Sequence, residues 1–247
     1  VPDADAAQDY LGLDGQRVIV AGGSGTLGRA LVEGFEGAGA RVAVVDLDPQ
    51  DGSVRVTADL GDADACARAM GEAVAGLGGA DVFVHAVGIN DRRPIEAYTS
   101  ADWERFIAIN LSSAFFTAQA VLPLMREQQH GRVVFFSSVA GRSGHKEHGP
   151  YAATKGAINQ LMRVMAHEHA ADGVTVNAVA PGYMDTALTQ AYLDAHPEKR
   201  AALVELIPAR RFGRLEEVVG PVLFLASRQA SFVTGQVLYI DGGRTVV

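Results

Sequence analysis

Tyr151 and Lys155 stand four residues apart in GPYAATKGAI, and the pair Ser137-Ser138 closes an apolar run thirteen residues before the tyrosine. On a helix, side chains at i and i+4 share a face, so this spacing brings a phenol and an ammonium together. A free tyrosine titrates near ~10, and ionising it at neutral pH costs roughly 4 kcal/mol. A cation held ~4 Å away returns about 4 kcal/mol at an effective dielectric of ~20. The expectation is therefore a tyrosine whose pKa is lowered by its lysine, acting as a general acid–base near neutrality. The Ser138 hydroxyl would bond the oxygen whose proton moves. The alternative is a coincidental pair on a solvated helix face. With 6 tyrosines and only three lysines (Lys146, Lys155 and Lys199) in the chain, chance placement predicts far fewer than one such pair.

Such residues need a scaffold, and the amino-terminal stretch QRVIVAGGSGTLGRALVEGF supplies its first unit: a short apolar strand, a glycine-rich turn and an amphipathic helix. Gly23, Gly25 and Gly28 match the G-x-G-x-x-G dinucleotide fingerprint in its required context. Glycines let the backbone approach a pyrophosphate, and the helix start offers free N–H groups and a positive dipole end. Asp46 ends the next apolar strand, RVAVVD. An acid there can accept a hydrogen bond from an adenosine ribose 2′-hydroxyl; the plainer reading is a strand-end turn residue.

Together these residues resemble the short-chain dehydrogenase/reductase family, from about residue 11 to residue 243. The family's T-G-x-x-x-G-x-G motif reads AGGSGTLG here, with Ala21 in place of the threonine and Thr26 in place of the middle glycine. The resemblance implies a catalytic set of Asn110 (in WERFIAINLSSAFF), Ser138, Tyr151 and Lys155. It implies a cofactor turn formed by Gly22, Ser24, Gly25, Thr26, Leu27 and Gly28. Asp46 with Leu47, and Asp59 with Leu60, would take the adenosine side. Ala86, Gly88, Pro181, Gly182, Met184 and Thr186 would complete the cofactor wall along with Tyr151 and Lys155. Its N-N-A-G motif is replaced by His85-Ala86-Val87-Gly88; His85 is then either a core histidine satisfied by backbone, which is preferred, or a cofactor-side donor. The implied reaction is hydride transfer between a nicotinamide and a carbinol or carbonyl carbon. NAD is expected as cofactor, because Asp46 would repel a 2′-phosphate and the positions where NADP users place a base hold Gly25 and Leu47. An NADPH-linked oxoacyl reductase is the rival within enzymes. A dinucleotide-binding regulator without chemistry and a purely structural subunit are the rivals outside them.

For the substrate, the stretch from GINDRRPIEAYTS onward is similar to the gluconate and 2-deoxygluconate dehydrogenases. Arg92 holds the position of an arginine that could grip a carboxylate bidentately, although Asp91 replaces the first arginine of that pair. A loop salt bridge is as good a reading of Arg92. His145 and His148, between serine and tyrosine, could contact hydroxyls or be solvated. Ser138, Tyr151 and Tyr183 complete the expected substrate wall, and residues 183–212 are expected to form a lid.

The composition sets the outer frame. Six near-continuous apolar runs (RVIVA, RVAVV, DVFVH, RVVFF, VTVNAVA, QVLYI) alternate with helical stretches, as a parallel sheet covered on both faces demands. The expected fold is a Rossmann-type doubly wound sheet of about seven strands in one domain over residues 1–247, with a short acidic extension at 1–10. A net charge of −8 without a basic run argues against nucleic acid. No apolar stretch is expected to reach the length of a membrane span. The single cysteine, Cys66, cannot form an intrachain disulfide, which fits a reducing cytoplasm. The His167-Glu168-His169 triplet is read as surface, not a metal site, because i and i+2 side chains diverge on a helix. Family members pair through helices equivalent to 102–127 and 151–170, so a homotetramer or homodimer is expected.

Overall fold

A computed structural model of the chain describes residues 10–186, Leu193 and residues 197–247. The expected extension therefore lies almost wholly outside the described residues, as does part of the expected lid. Seven parallel strands run β1 (Arg17–Ala21), β2 (Arg41–Asp46), β3 (Val54–Thr57), β4 (Val82–His85), β5 (Gly131–Phe136), β6 (Val174–Pro181) and β7 (Val237–Ile240). They lie in the order β3-β2-β1-β4-β5-β6-β7. The chain thus winds outward from β1 in one direction, returns, and winds outward from β4 in the other. Where the winding reverses, between the carboxyl ends of β1 and β4, the loops part and leave a crevice.

The residue pattern explains the layers. Alternate strand residues point to opposite faces, and here both faces are apolar. Ile19 and Ala43 pack with Met70, Met125 and Met162 on one side. Val18, Val20 and Val42 pack with Leu31, Phe35 and Val222 on the other. The first side is covered by α2 (Ala63–Leu77), α4 (Ser113–Gln128) and α5 (Gly149–His169), the second by α1 (Thr26–Gly37) and α7 (Glu216–Ala226), which follows α6 (Pro197–Glu205) in the chain. Local chemistry sets the helix ends. Asp62 accepts from the Asp64 and Ala65 N–H groups at the start of α2, and Gly78 closes it at φ 77°. Thr99 and Asp102 form a reciprocal capping box at the start of α3 (Ser100–Phe106).

Two observations go beyond the sequence reading. Between α3 and α4 the helix widens into a π segment, Ile107–Ser112, which carries Asn110; nothing in the apolar pattern announces it. The run Ser100–Gln128 is also 29 residues of continuous helix with an 18-residue window of mean hydropathy 1.5. By length and composition it does reach that of a membrane span, so the expectation that none would is corrected. The apolarity has a local use, since Ala114, Ala118, Val121, Leu122 and Met125 belong to the core against the sheet. Cys66 is also in that core, and burial with nearby Asp62 and Asp59 pushes its thiol up to about 11. His169 in the suspected triplet lies 3.4 Å from Asp172.

Candidate active site

Two cavities of about 290 and 310 Å³ open at the carboxyl ends of the strands and share Ala86, Val87, Gly88 and Ile89 as a common wall. They form one cleft with two ends.

The first end is built mostly by backbone. Gly22 follows β1 at φ +83°, and a Cβ there would lie 2.8 Å from the Val87 nitrogen, so only glycine fits. At Gly28 the constraint is packing. A Cβ there would collide with the Gly22 carbonyl and approach the Gly23 Cα at 2.7 Å, so the glycine lets α1 pack close under the turn. Gly25, the N-cap of α1, has open space where a Cβ would stand, with only the Gly22 oxygen at 3.6 Å. No side chain caps this helix start and no acid occupies its first turn, so its N–H groups and dipole face the cleft. Those features fit a pyrophosphate. Asp46 borders the same cavity with Leu47, Asp59, Leu60 and Gly61. Its carboxylate accepts from Ser24 N at 2.9 Å and Leu47 N at 2.7 Å. The turn reading and the ribose reading of Asp46 therefore coexist, because a carboxylate has lone pairs beyond these two bonds. Asp59 likewise accepts from Gly61 N at 2.9 Å, and Leu60 is largely buried in the core. Ser24 spends its hydroxyl on the Asp48 carbonyl at 3.0 Å. Of the other expected cofactor residues, Thr26 opens α1, and Leu27, Pro181, Gly182 and Met184 line the second cavity. Thr186 lines neither.

The second end is built by side chains. Ser138, His145, His148, Tyr151, Lys155, Arg92 and Tyr183 all face it. Tyr151 and Lys155 lie on the first turns of α5, as the spacing requires, and the Ser138 side chain is near enough to the Tyr151 phenol to favour its ionised form. Ser138 also accepts from Ala140 N at 3.2 Å. The expected electrostatics need correction. Burial pushes the Tyr151 phenol above its ordinary value, outweighing the Ser138 side chain and the charge of Arg92. The same burial pushes Lys155 down to about 8. The ammonium is 5.7 Å from the centre of the tyrosine ring and donates to the Phe136 carbonyl at 2.7 Å. Desolvation thus dominates both groups, and the lysine does not bring the phenol toward neutrality. Lys155 instead points at the cofactor wall: a Cβ on Gly88 would lie 3.4 Å from its Nζ and 3.5 Å from Asn110 Oδ1.

Asn110 is fully buried and clamps the loop after β4. Its Oδ1 accepts from Ile89 N at 2.8 Å, while its Nδ2 donates to the Ile89 carbonyl at 2.9 Å and to Thr154 Oγ1 at 3.2 Å. Sequence reasoning missed Ile89 and Thr154 as parts of this set; their signal is adjacency to Gly88 and to Lys155. His85 is buried, as preferred, but its partner is a side chain and not backbone. Its Nε2 lies 2.9 Å from Ser113 Oγ, which itself donates to the Ile109 carbonyl at 2.5 Å. The serine has one hydrogen and uses it on Ile109, so the histidine nitrogen must be the donor. The ring is held neutral, since burial and Lys155 push it down to about 3. It braces the π segment beside Asn110.

The rest of the Arg92 loop is fixed by its neighbours. Arg93 pairs with Asp91 at 2.7 Å and Asp102 at 2.8 Å and stacks on Tyr98. Asp91, the departure from the expected arginine pair, is thereby used to hold Arg93. Arg92 remains the guanidinium on the cavity wall. Tyr183 packs against Phe212 at a ring distance of 6.0 Å.

A seven-stranded doubly wound sheet with a glycine turn at its switch point and a Ser–Tyr–Lys set across the cleft defines a dinucleotide-dependent oxidoreductase. The chain belongs to the short-chain dehydrogenase/reductase family, whose members bind a nicotinamide dinucleotide. A family model described as enoyl-(acyl carrier protein) reductase matches residues 21–245. Gluconate 5-dehydrogenase of Gluconobacter oxydans (strain 621H) is 34% identical over 96% of this chain and 98% of its own. The 3-oxoacyl-acyl-carrier-protein reductase of Escherichia coli (strain K12) is 31% identical over 96% and 100%. Among solved structures, a gluconate 5-dehydrogenase from Burkholderia cenocepacia J2315, in complex with NADP and tartrate, superposes with a TM-score of 0.91 at 32% identity, covering 98% of this chain and 99% of that one.

Proposed function

We propose that the protein is an NAD-dependent oxidoreductase that interconverts a secondary alcohol and a ketone, acting on a small sugar acid or polyol. The observation that carries this reading is the position of Arg92 in the cavity of Ser138 and Tyr151, close enough for its charge to act on the phenol. A guanidinium there suits a carboxylate on a molecule whose carbinol meets the tyrosine. The likeness to gluconate 5-dehydrogenases supports it.

When bound, the nicotinamide dinucleotide accepts or supplies the hydride. The chain's own residues bind, orient and move the proton. Ser138 holds the substrate oxygen beside the Tyr151 hydroxyl. Tyr151 gives its proton to the substrate oxygen in reduction, and in oxidation takes the carbinol proton as its own passes to the water path; its raised pKa keeps it protonated at pH 7, which favours the donor role. Lys155, buried against the Phe136 carbonyl and facing Gly88, offers its remaining N–H groups to the nicotinamide ribose. Asn110 would anchor the water that continues the proton path, from a π segment that Ile89 and Thr154 hold in register. A screen of NAD and NADP reduction across sugar acids, polyols, hydroxysteroids and 3-hydroxyacyl thioesters tests the reading. Activity confined to apolar ketones or acyl thioesters would overturn the substrate class and leave the oxidoreductase.

NADP is the second reading. Arg29 donates to the Ser24 carbonyl at 3.0 Å, and Arg105 borders the Asp46 cavity; either could meet a 2′-phosphate. The B. cenocepacia relative is in complex with NADP. NAD is preferred because the Asp46 carboxylate borders this cavity and would repel a 2′-phosphate, and Arg41 starts β2 at the far end of the strand, donating to the Leu77 carbonyl. The rest of the proposal is a single-domain cytoplasmic enzyme that forms a homotetramer or homodimer through α3–α5, where Trp103, Phe115 and Val164 are exposed. Light scattering behind size exclusion reads the assembly directly.

A further inference from the structure

We infer that His148 is a specificity-determining residue that accepts a hydrogen bond from a hydroxyl on the carbon next to the reacting carbinol, so that the substrate is a vicinal diol. The inference rests on the proposed alcohol–ketone chemistry and goes beyond it, because it names which neighbour of the reacting carbon must carry oxygen.

Three observations converge. His148 is the N-cap of α5, three residues before Tyr151, and is 8% exposed. Its Nδ1 lies 2.8 Å from the Lys146 carbonyl. A carbonyl only accepts, so Nδ1 carries the hydrogen, and in the neutral ring Nε2 must be a lone pair. That lone pair has no hydrogen-bond partner among the described residues. Finally, the imidazole stands 5.9 Å from the Tyr151 ring, centre to centre, and both side chains line the substrate end of the cleft.

The groups facing the ring keep it neutral at pH 7. Burial and the charge of Arg92 push its pKa down, while its bond to the Lys146 carbonyl and the charge of Glu147 oppose them. His145 lies 6.0 Å away, edge-on, and is itself pushed down by burial, His148, Arg244 and Arg92. An acceptor on a ring anchored through Nδ1 therefore lines the same cavity as the phenol. With the two ring centres 5.9 Å apart, a hydrogen bond of about 2.9 Å to this acceptor suits an oxygen on the carbon next to the one whose oxygen meets Tyr151. An acceptor desolvated by a substrate that lacks this hydroxyl would be left unpaired, which is the strongest kind of discrimination a site can make.

The test compares D-gluconate, whose hydroxyls are all vicinal, with 3-hydroxybutyrate, which has the carboxylate but one hydroxyl. Wild-type enzyme is expected to favour gluconate. His148→Phe keeps a ring but removes the acceptor, and should lower kcat/KM for gluconate at least tenfold more than for 3-hydroxybutyrate. His148→Gln, which supplies an amide oxygen, should restore part of that difference. Equal falls on both substrates, or a wild type without preference for the diol, would overturn the inference. Calorimetric titration of the enzyme–NADH complex with D-gluconate separates the two proposals. If no alcohol is oxidised but gluconate binds and His148→Phe abolishes that binding, the dehydrogenase reading fails and the diol reading stands. If wild type does not bind gluconate, the diol reading fails.

Discussion

The two ends of the cleft are made of different material. The Gly22–Gly28 end is mostly backbone: a left-handed glycine, a close-packed glycine and an uncapped helix start, with Asp46 holding the turn through Ser24 and Leu47. The Tyr151 end is side chains carried on loops and one helix: Arg92 from the loop after β4, His145 and His148 from the loop after β5, Tyr183 from the loop after β6. Backbone geometry recognises what is common to every dinucleotide, its phosphates, and tolerates few substitutions. Side chains on loops can change without disturbing the sheet, so the substrate end is where one member of the family differs from another. Behind Gly88, in the wall that the two ends share, lie Lys155 Nζ and Asn110 Oδ1.

That contrast can be broken by mutation, and the largest effect should come where the ends meet the chemistry. Tyr151→Phe removes the proton carrier but keeps the ring, so turnover should fall by roughly 10² or more while NAD affinity changes little; near-normal turnover on a verified substrate would show that another group moves the proton. Gly22→Val should strike the backbone end alone. With φ at +83° and Val87 N 2.8 Å from any Cβ, the turn must open, and NADH binding followed by fluorescence should weaken at least tenfold. Unchanged binding would mean that the turn is not the phosphate cradle. Asp46→Ala with Leu47→Arg should narrow or invert the preference for NAD over NADP, read as the ratio of kcat/KM values. Equal wild-type efficiency with both cofactors would contradict the role given to Asp46.

Arg92→Ala should raise KM for a sugar acid with little change in kcat, as loss of binding common to ground and transition states does, and should leave an uncharged polyol nearly unaffected. An equal effect on both would return Arg92 to a loop role. The smallest effect concerns stability. Lys155 is pushed from an ordinary 10.5 to about 8, so the folded state binds fewer protons than the unfolded chain between those values. Below about 8 the burial penalty on the ammonium is fully present; as pH rises through 8 toward 10.5 it is relieved and stability grows. The unfolding midpoint of wild type relative to Lys155→Met should therefore rise between pH 7.5 and pH 9.5. A flat difference would place the lysine pKa elsewhere.

Most of the fold was legible, because it rests on local and repetitive signals. Apolar runs such as RVAVV mark strands buried on both faces, and the glycine spacing marks the strand–turn–helix unit. The members of the site were legible one by one for the same reason: Tyr151 and Lys155 through helical spacing, Asp46 as a strand end. Their electrostatics were not. The i, i+4 spacing brings phenol and ammonium to one face, but whether attraction or desolvation wins depends on how much protein surrounds them, and here burial raises the tyrosine and lowers the lysine. His85 shows a similar limit. Its apolar strand foretold burial, yet the partner it needs comes from Ser113, which is 28 positions along the chain.

Periodicity and spacing alone marked six of the seven strands, the glycine turn and the shared helix face of Tyr151 and Lys155; the doubly wound order, the family and the role of Ser138 were legible only through the resemblance carried by the ordered motifs. Tertiary structure decided the rest: the π segment that turns Asn110 onto Ile89, the pairing of Asp91 with Arg93, the place of Arg92 on the cavity wall, and the directions in which burial moves Tyr151 and Lys155. These depend on distances between segments far apart in the chain and on the exclusion of water among them. No local pattern encodes either quantity; both arise only when the layers close on the sheet.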